Sequence, residues 1–169
     1  MPKITTLCYL DDGERYLMLH RTKKENDENR DKWIGVGGKF EDGESPEECM
    51  IREVFEETGL TVTEWRFRGI VTFVSDVYPC EYMHLFTCTK WEGKLHACNE
   101  GDLRWVDKKE IGNLNLWEGD KLIFSLLETQ DSFFSLKLSY RGDKLAESKL
   151  QTADKNIPLH SETDKSQLT

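Results

Sequence analysis

GKFEDGESPEECMIREVFEETGL, residues Gly38 to Leu60, decides the fold of this chain, because it carries both ends of a helix and a cluster of acids within it. Ser45 is a good N-cap, Pro46 suits the first helical position, and Glu48 completes a capping box. Gly59 ends the helix as a C-terminal glycine does. At about 100° per residue, Glu53, Glu56 and Glu57 fall within an arc of roughly 100°. Ile51, Val54 and Phe55 are expected on the far side, facing a core. Packed carboxylates repel one another and raise each other's pKa unless cations compensate. Hard oxygen ligands on one face suit Mg²⁺ or Mn²⁺. A solvated acidic helix face is the competing reading of the same glutamates.

Around this segment the chain has the length of a single domain, 169 residues with 37% hydrophobic content and a net charge of −9. The acidic balance argues against duplex nucleic acid as a partner, which calls for a basic footprint. It leaves a polyphosphate partner open, because bound metal inverts the local field. Five cysteines, Cys8, Cys49, Cys80, Cys88 and Cys98, are odd in number and lack a C-x-x-C spacing. They read as reduced thiols rather than a disulfide frame or a zinc site. No secretory signal and no membrane-length apolar run is visible, so a soluble cytoplasmic protein is expected.

Ile4–Leu10 and Tyr16–His20 read as strands joined by an Asp12-Gly13 turn, a hairpin signal. The polar run Arg21–Lys32 reads as an exposed loop, and Trp33–Gly38 returns to the sheet with glycines that permit close backbone approach. Thr61–Ser75, Tyr82–Lys90, Leu103–Val106 and Phe133–Tyr140 are expected strands. Gly119–Gln130 is an expected helix with Leu122, Ile123, Leu126 and Leu127 on its apolar face. The expected organisation is one domain over residues 1–140 and a polar, loosely held tail over 141–169.

The spacing of the opening segment narrows this further. Gly38, five residues, Glu44, seven residues, Arg52-Glu53-Val54, one residue, Glu56-Glu57, one residue, Gly59-Leu60 resembles the Nudix box at every defining position. Chance coincidence of so many identities is on the order of 10⁻⁸ per starting point. The flanks WIGVGGKFEDGESPEEC, CNEGDLRWV, WEGDKLIFSLL and FFSLKLSY are similar to those of the bacterial MutT-type 8-oxo-dGTP diphosphatase group. The resemblance implies an α+β Nudix fold, an α/β/α sandwich with a mixed sheet flanked by helices. It also implies a Mg²⁺-dependent hydrolase, with Mn²⁺ as the alternative ion, that cleaves a nucleoside triphosphate to the monophosphate and pyrophosphate.

By that resemblance Glu56 and Glu57 are the principal metal ligands, the Gly38 carbonyl adds a backbone oxygen, and Glu100 supplies a further carboxylate from its loop. Glu53 either ligates metal or takes the proton from the attacking water. Arg52 orients a neighbouring glutamate through a charge-assisted bond. Glu44 ligates through water or braces the loop. Arg21 and Lys39 are placed for the phosphate chain, where point charges stabilise developing negative charge. Trp117 and Asp120 match the region where purine-selecting relatives present a tryptophan and an acid, and Phe73 is a candidate lining residue. Two departures matter: an animal relative has asparagine where this chain has Ile34, and two acids where this chain has Gly119-Asp120, so discrimination of an 8-oxo group must use other donors. Oxidised purine nucleotides, above all 8-oxo-dGTP, are the expected substrates of a monomer or homodimer. Ordinary NTPs, nucleotide sugars or RNA 5′ ends are the alternative substrates, and a non-catalytic nucleotide-binding module is the alternative of another class.

Overall fold

The computed structural model describes residues 1–152. Its elements are β1 (Lys3–Leu10), β2 (Arg15–Arg21), β3 (Trp33–Ile34), α1 (Pro46–Thr58), β4 (Leu60–Ser75), β5 (Glu81–Gly93), β6 (Gly101–Asp107), α2 (Asp120–Thr129), β7 (Phe134–Arg141) and β8 (Lys144–Thr152). A mixed sheet runs β1-β5-β4-β7-β8, with β1 parallel to β5 and β4 parallel to β7, and a smaller antiparallel sheet runs β3-β2-β6. This is the α+β architecture expected.

The alternation of β1 explains the layering. Leu7 and Tyr9 face one core, with Val71, Phe73, Leu136 and the α2 residues Ile123 and Phe124. Cys8 and Leu10 face the other, with Phe86 and the α1 residues Met50 and Val54. Successive side chains of a strand point to opposite faces, so a strand covered on both sides reads as a continuous apolar run. The sheet therefore lies between the two helices, and α1 packs on the face reached from Cys8.

Four local expectations change. The Asp12-Gly13 turn exists, with Asp12 Oδ1 accepting from the Glu14 and Arg15 amides, but it does not close a paired hairpin beyond an Asp11–Tyr16 bridge. β1 pairs with β5 on one edge and bridges Val36 and Lys39 on the other, so β2 joins the second sheet. On α1, Phe55 is 54% exposed, whereas Glu57 is only 9% exposed. The acids thus border the buried face instead of opposing it, because Met50, Val54 and Glu57 share one side of the helix. On α2, Leu122 faces outward and Phe124 takes its place in the core.

The fourth change concerns the chain beyond residue 140. Lys144–Thr152 pairs antiparallel with β7 across a turn in which Gly142 has φ 57°. Its polar composition concealed it: most side chains of this edge strand are exposed, and ladder hydrogen bonds require no apolar side chain. The expected domain boundary falls inside this hairpin, and residues 153–169 of the expected tail lie outside the described residues. Among the described residues, no helix is long and apolar enough to cross a membrane.

Candidate active site

The loop that enters α1 is drawn onto β1 by backbone bonds, the Thr6 amide donating to the Gly38 carbonyl at 2.9 Å. The helix start is the expected capping box: the Glu48 amide donates to Ser45 Oγ and the Ser45 amide to Glu48 Oε1, each at 3.1 Å. At the other end Gly59 adopts φ 80° and its amide donates to the Phe55 carbonyl at 2.8 Å. Gly38 has a second reason to lack a side chain. A Cβ there would lie 2.5 Å from the Glu53 carboxylate, so a side chain at this position would displace that carboxylate.

Arg52 organises the acids. Its Nε and Nη2 donate to the two oxygens of Glu44 at 2.7 and 2.9 Å, a bidentate pair. Its Nη1 donates to Glu53 Oε1 at 2.8 Å and to Glu56 Oε2 at 3.2 Å, while Nη2 also meets the Lys39 carbonyl at 3.0 Å. Glu44 therefore braces the loop through Arg52, whose hydrogen bonds hold its carboxyl down at about 2. Burial pushes the Glu53 carboxyl up, against the pull of Arg52.

Glu57 lies deepest. Its Oε1 accepts from the Gly37 amide at 3.4 Å, a long bond, and its Oε2 is buried without a hydrogen-bond partner. Burial first, then the charges of Glu100 and Glu53, lift its carboxyl to about 8. Glu100 is held across the site by Arg21 Nη1 at 2.6 Å and by Lys24 at 2.8 Å, and Arg21 Nε also donates to Asp27 at 2.6 Å. Arg21 is thus locked in an ion-pair network, its side chain only 13% exposed, rather than loose in solvent.

These residues fit a divalent cation by a direct criterion. A buried carboxylate oxygen without a partner is a vacancy in the hydrogen-bonding account of the core, and a hard cation fills it. Glu53, Glu56 and Glu100 supply further oxygens nearby, and the Gly38 carbonyl, which accepts from the Thr6 amide at 2.9 Å and from the weak Cys49 thiol donor at 3.7 Å, is a backbone oxygen that a cation could take over from the thiol. Among the described residues no three acidic, imidazole or thiol groups have already converged on one point. Arg52 and Arg21 hold three of the acids instead, and Glu56, with its side chain 55% exposed, has room to turn.

Arg52→Lys tests the organising role. A lysine ammonium lacks the planar fork that grips Glu44 while reaching Glu53 and Glu56. Turnover at saturating substrate is expected to fall by about tenfold to a hundredfold, with the thermal midpoint lowered by a few degrees. Turnover equal to that of the parent protein would remove Arg52 from the organisation of the acids.

A cavity of about 170 Å³ runs from this loop into the first core. Gly37, Gly38, Lys39 and Arg21 line one end, and Phe73, Trp117 and Asp120 line the other. Lys39 is an exposed rim residue. Phe73 is at once a core residue and a wall, packing edge-on against Trp117 at 5.4 Å. Trp117 is 6% exposed and bordered by Tyr140, with the Lys32 ammonium 4.8 Å over its ring, so it is more structural than a free stacking platform. Burial lifts the Asp120 carboxyl to about 7, with Lys32 opposing.

Sequence reasoning missed Tyr9, Glu28 and Asn29, all of which line the cavity. Tyr9 sat inside an apolar strand. Glu28 and Asn29 belong to the 21–32 run, whose polar composition suggested only solvent. That run is tied down by Lys3–Glu28 at 2.6 Å, Trp117–Asn29 at 2.8 Å and Asn115–Asp31 at 2.9 Å. Nothing local in the sequence signals these long-range bonds.

The geometry has counterparts among known proteins. The model of the NUDIX domain matches residues 1–127. The uncharacterized Nudix hydrolase YvcI of Bacillus subtilis is 32% identical over 127 residues, 72% of this chain and 77% of its own length. The oxidized purine nucleoside triphosphate hydrolase of Danio rerio is 31% identical over 125 residues, 73% of this chain and 80% of its own. Among solved structures, the MutT protein of Bacillus halodurans superposes with a TM-score of 0.77 at 30% identity, covering 88% of this chain and 97% of that one. With the box intact from Gly38 to Leu60 and its acids gathered around Arg52 at the mouth of a cavity, this chain belongs to the Nudix family and is a pyrophosphohydrolase.

Proposed function

We propose that the protein is a Mg²⁺-dependent nucleoside triphosphate diphosphatase that hydrolyses 8-oxo-dGTP and related oxidised purine nucleotides to the monophosphate and pyrophosphate. In this role it removes mutagenic precursors from the cytoplasmic nucleotide pool. The observation that carries the reading is a cavity that joins the box to a buried polar and aromatic pocket. One end is suited to phosphate and the other to a base. The relative in Danio rerio, matched over most of its length, is named for oxidised purine nucleoside triphosphates.

Glu57, Glu56, Glu53 and Glu100 with the Gly38 carbonyl would hold the cation, of which Mg²⁺ or Mn²⁺ suits an all-oxygen donor set. The ion supplies charge neutralisation on the phosphate chain and acidifies the attacking water. The chain's own residues do the rest. Arg52 keeps Glu53 aimed at the loop, Lys39 at the rim meets the phosphates, and Arg21 holds Glu100 in place. Glu53, its side chain 15% exposed and its carboxyl pushed up by burial, is suited to hold the proton lost by the water.

The test is kcat/KM for 8-oxo-dGTP beside dGTP in Mg²⁺, with products separated by chromatography. A preference of about a hundredfold, or about 2.7 kcal/mol of differential transition-state binding, is expected, with monophosphate and pyrophosphate released. Equal or negligible rates on both would overturn the substrate assignment and direct the search to other nucleoside diphosphate derivatives.

A further inference from the structure

Both carboxylate oxygens of Glu100 are taken by cations of the 21–32 loop. Its Oε2 accepts from Arg21 Nη1 at 2.6 Å and its Oε1 from Lys24 Nζ at 2.8 Å. The two cations are anchored very differently. Arg21 also donates through Nε to Asp27 Oδ2 at 2.6 Å, and the side chains of Arg21 and Asp27 are 13% and 6% exposed. The Lys24 side chain is 57% exposed, and among the described residues its bond to Glu100 is the one hydrogen bond or ion pair it makes.

A divalent cation on this carboxylate would stand beside two positive side chains, and like charges at such range repel. The side chain that gives way is Lys24. Releasing Arg21 would strip a largely buried guanidinium of one of its two carboxylates, a costly loss in the interior. Releasing Lys24 gives up an exposed ion pair on a flexible stem, which is worth little. The freed ammonium does not go far. The Lys23 amide donates to the Glu100 carbonyl at 3.3 Å and Lys23 Nζ to the Cys98 carbonyl at 2.7 Å. These bonds strap the loop to the Glu100 segment without using the Glu100 carboxylate. Arg21, which shares that carboxylate with Lys24, lines the cavity beside Gly37, Gly38 and Lys39. The Lys24 ammonium is therefore held at the phosphate end of the cavity.

Resting on the reading above that Glu100 helps to hold a divalent cation beside a polyphosphate chain, we propose that Lys24 is a further substrate-binding residue, which occupies Glu100 until the cation arrives. On loading, Glu100 passes from the Lys24 ammonium to the cation, and the freed ammonium pairs with the phosphate chain. Lys24 thus opposes the cation in the nucleotide-free protein and favours the phosphates once the cation is in place. Cation and polyphosphate then bind cooperatively. By linkage, the preference that Lys24 gives the cation for phosphate-loaded protein equals the preference it gives phosphate for cation-loaded protein. A plain brace on Glu100 has the opposite consequence, because losing it would weaken cation binding.

Lys24→Met is the discriminating variant, because it keeps an unbranched stem and removes the charge at an exposed position. Mn²⁺ binding to the nucleotide-free protein, read by calorimetry, is expected to tighten by about threefold to tenfold. For 8-oxo-dGTP in saturating Mg²⁺, KM is expected to rise by about the same factor while kcat stays within about twofold. Lys24→Arg keeps the charge and is expected to hold both values near those of the parent protein. Mn²⁺ affinity unchanged or weakened in Lys24→Met, or an unmoved KM, would overturn the proposal. Its failure and that of the functional reading are distinguishable. Hydrolysis of 8-oxo-dGTP by the parent with either of those results leaves the function standing and removes Lys24. If the parent does not hydrolyse 8-oxo-dGTP, binding of inorganic tripolyphosphate in excess Mg²⁺ takes the place of KM. Weaker tripolyphosphate binding and tighter Mn²⁺ binding in Lys24→Met then leave Lys24 standing and remove the substrate. A parent protein that binds no Mn²⁺ removes both.

Discussion

Glu57→Gln is expected to lower kcat by about 10³-fold in Mg²⁺ while the metal-free protein keeps its fold and gains stability at alkaline pH. The two effects have one cause. Glu57 is buried on the inner edge of α1, its Oε2 has no partner, and its carboxyl is lifted from 4.5 to about 8. Between those values the folded chain holds a proton that the unfolded chain has released. Stability must then fall as pH rises from about 4.5 to about 8, and the loss is complete above the folded-state value. The cost at alkaline pH is on the order of a few kcal/mol. Glutamine is neutral throughout, so the variant should lack this component of the decline. Thermal midpoints of metal-free parent and variant between pH 5 and pH 9 check it, with a circular dichroism spectrum for the fold. Parallel curves would show that Glu57 is not the buried group that titrates. An unchanged kcat would show that catalysis does not use it.

Glu53→Gln is the second large effect, a fall in kcat of about 10²- to 10⁴-fold, and its response to metal separates the two roles open to this residue. Glu53 Oε1 is held by Arg52 at 2.8 Å, and the carboxylate fills the space where a Cβ on Gly38 would lie. It is therefore fixed against the loop, and glutamine can keep its shape and accept the Arg52 bond through its amide oxygen. If Glu53 chiefly holds the proton of the attacking water, kcat stays low at every Mg²⁺ concentration. If it chiefly ligates, raising Mg²⁺ restores most of kcat and shifts the half-saturating concentration upward. Near-normal turnover at ordinary Mg²⁺ would remove Glu53 from both roles.

Local chemistry made the box legible. Ser45, Pro46, Glu48 and Gly59 each act on neighbours within a turn, so the ends of α1 were readable to the residue. The alternation of β1 between two cores was hidden in the apolar run Leu7–Leu10, which says that a strand is covered on both faces but not by what. The edge strand Lys144–Thr152 was illegible for the opposite reason, since backbone pairing leaves no mark on its polar side chains.

The site divides along the same line. Residue types and spacing were enough for the acids, the arginine among them and the family, because i, i+3 and i, i+4 neighbours on a helix meet whatever surrounds them. The depth of Glu57 was not readable, because burial depends on how α1 rolls against Met50 and Val54, and that roll set Phe55 outside and the carboxylate inside. Nor was the fixing of Arg21 between Asp27 and Glu100, or of Asn29 by Trp117, whose partners are separated by 79 and 88 residues in the longer pairs. Such contacts come from chain closure across the fold, and a one-dimensional pattern carries no record of which distant groups packing will bring together.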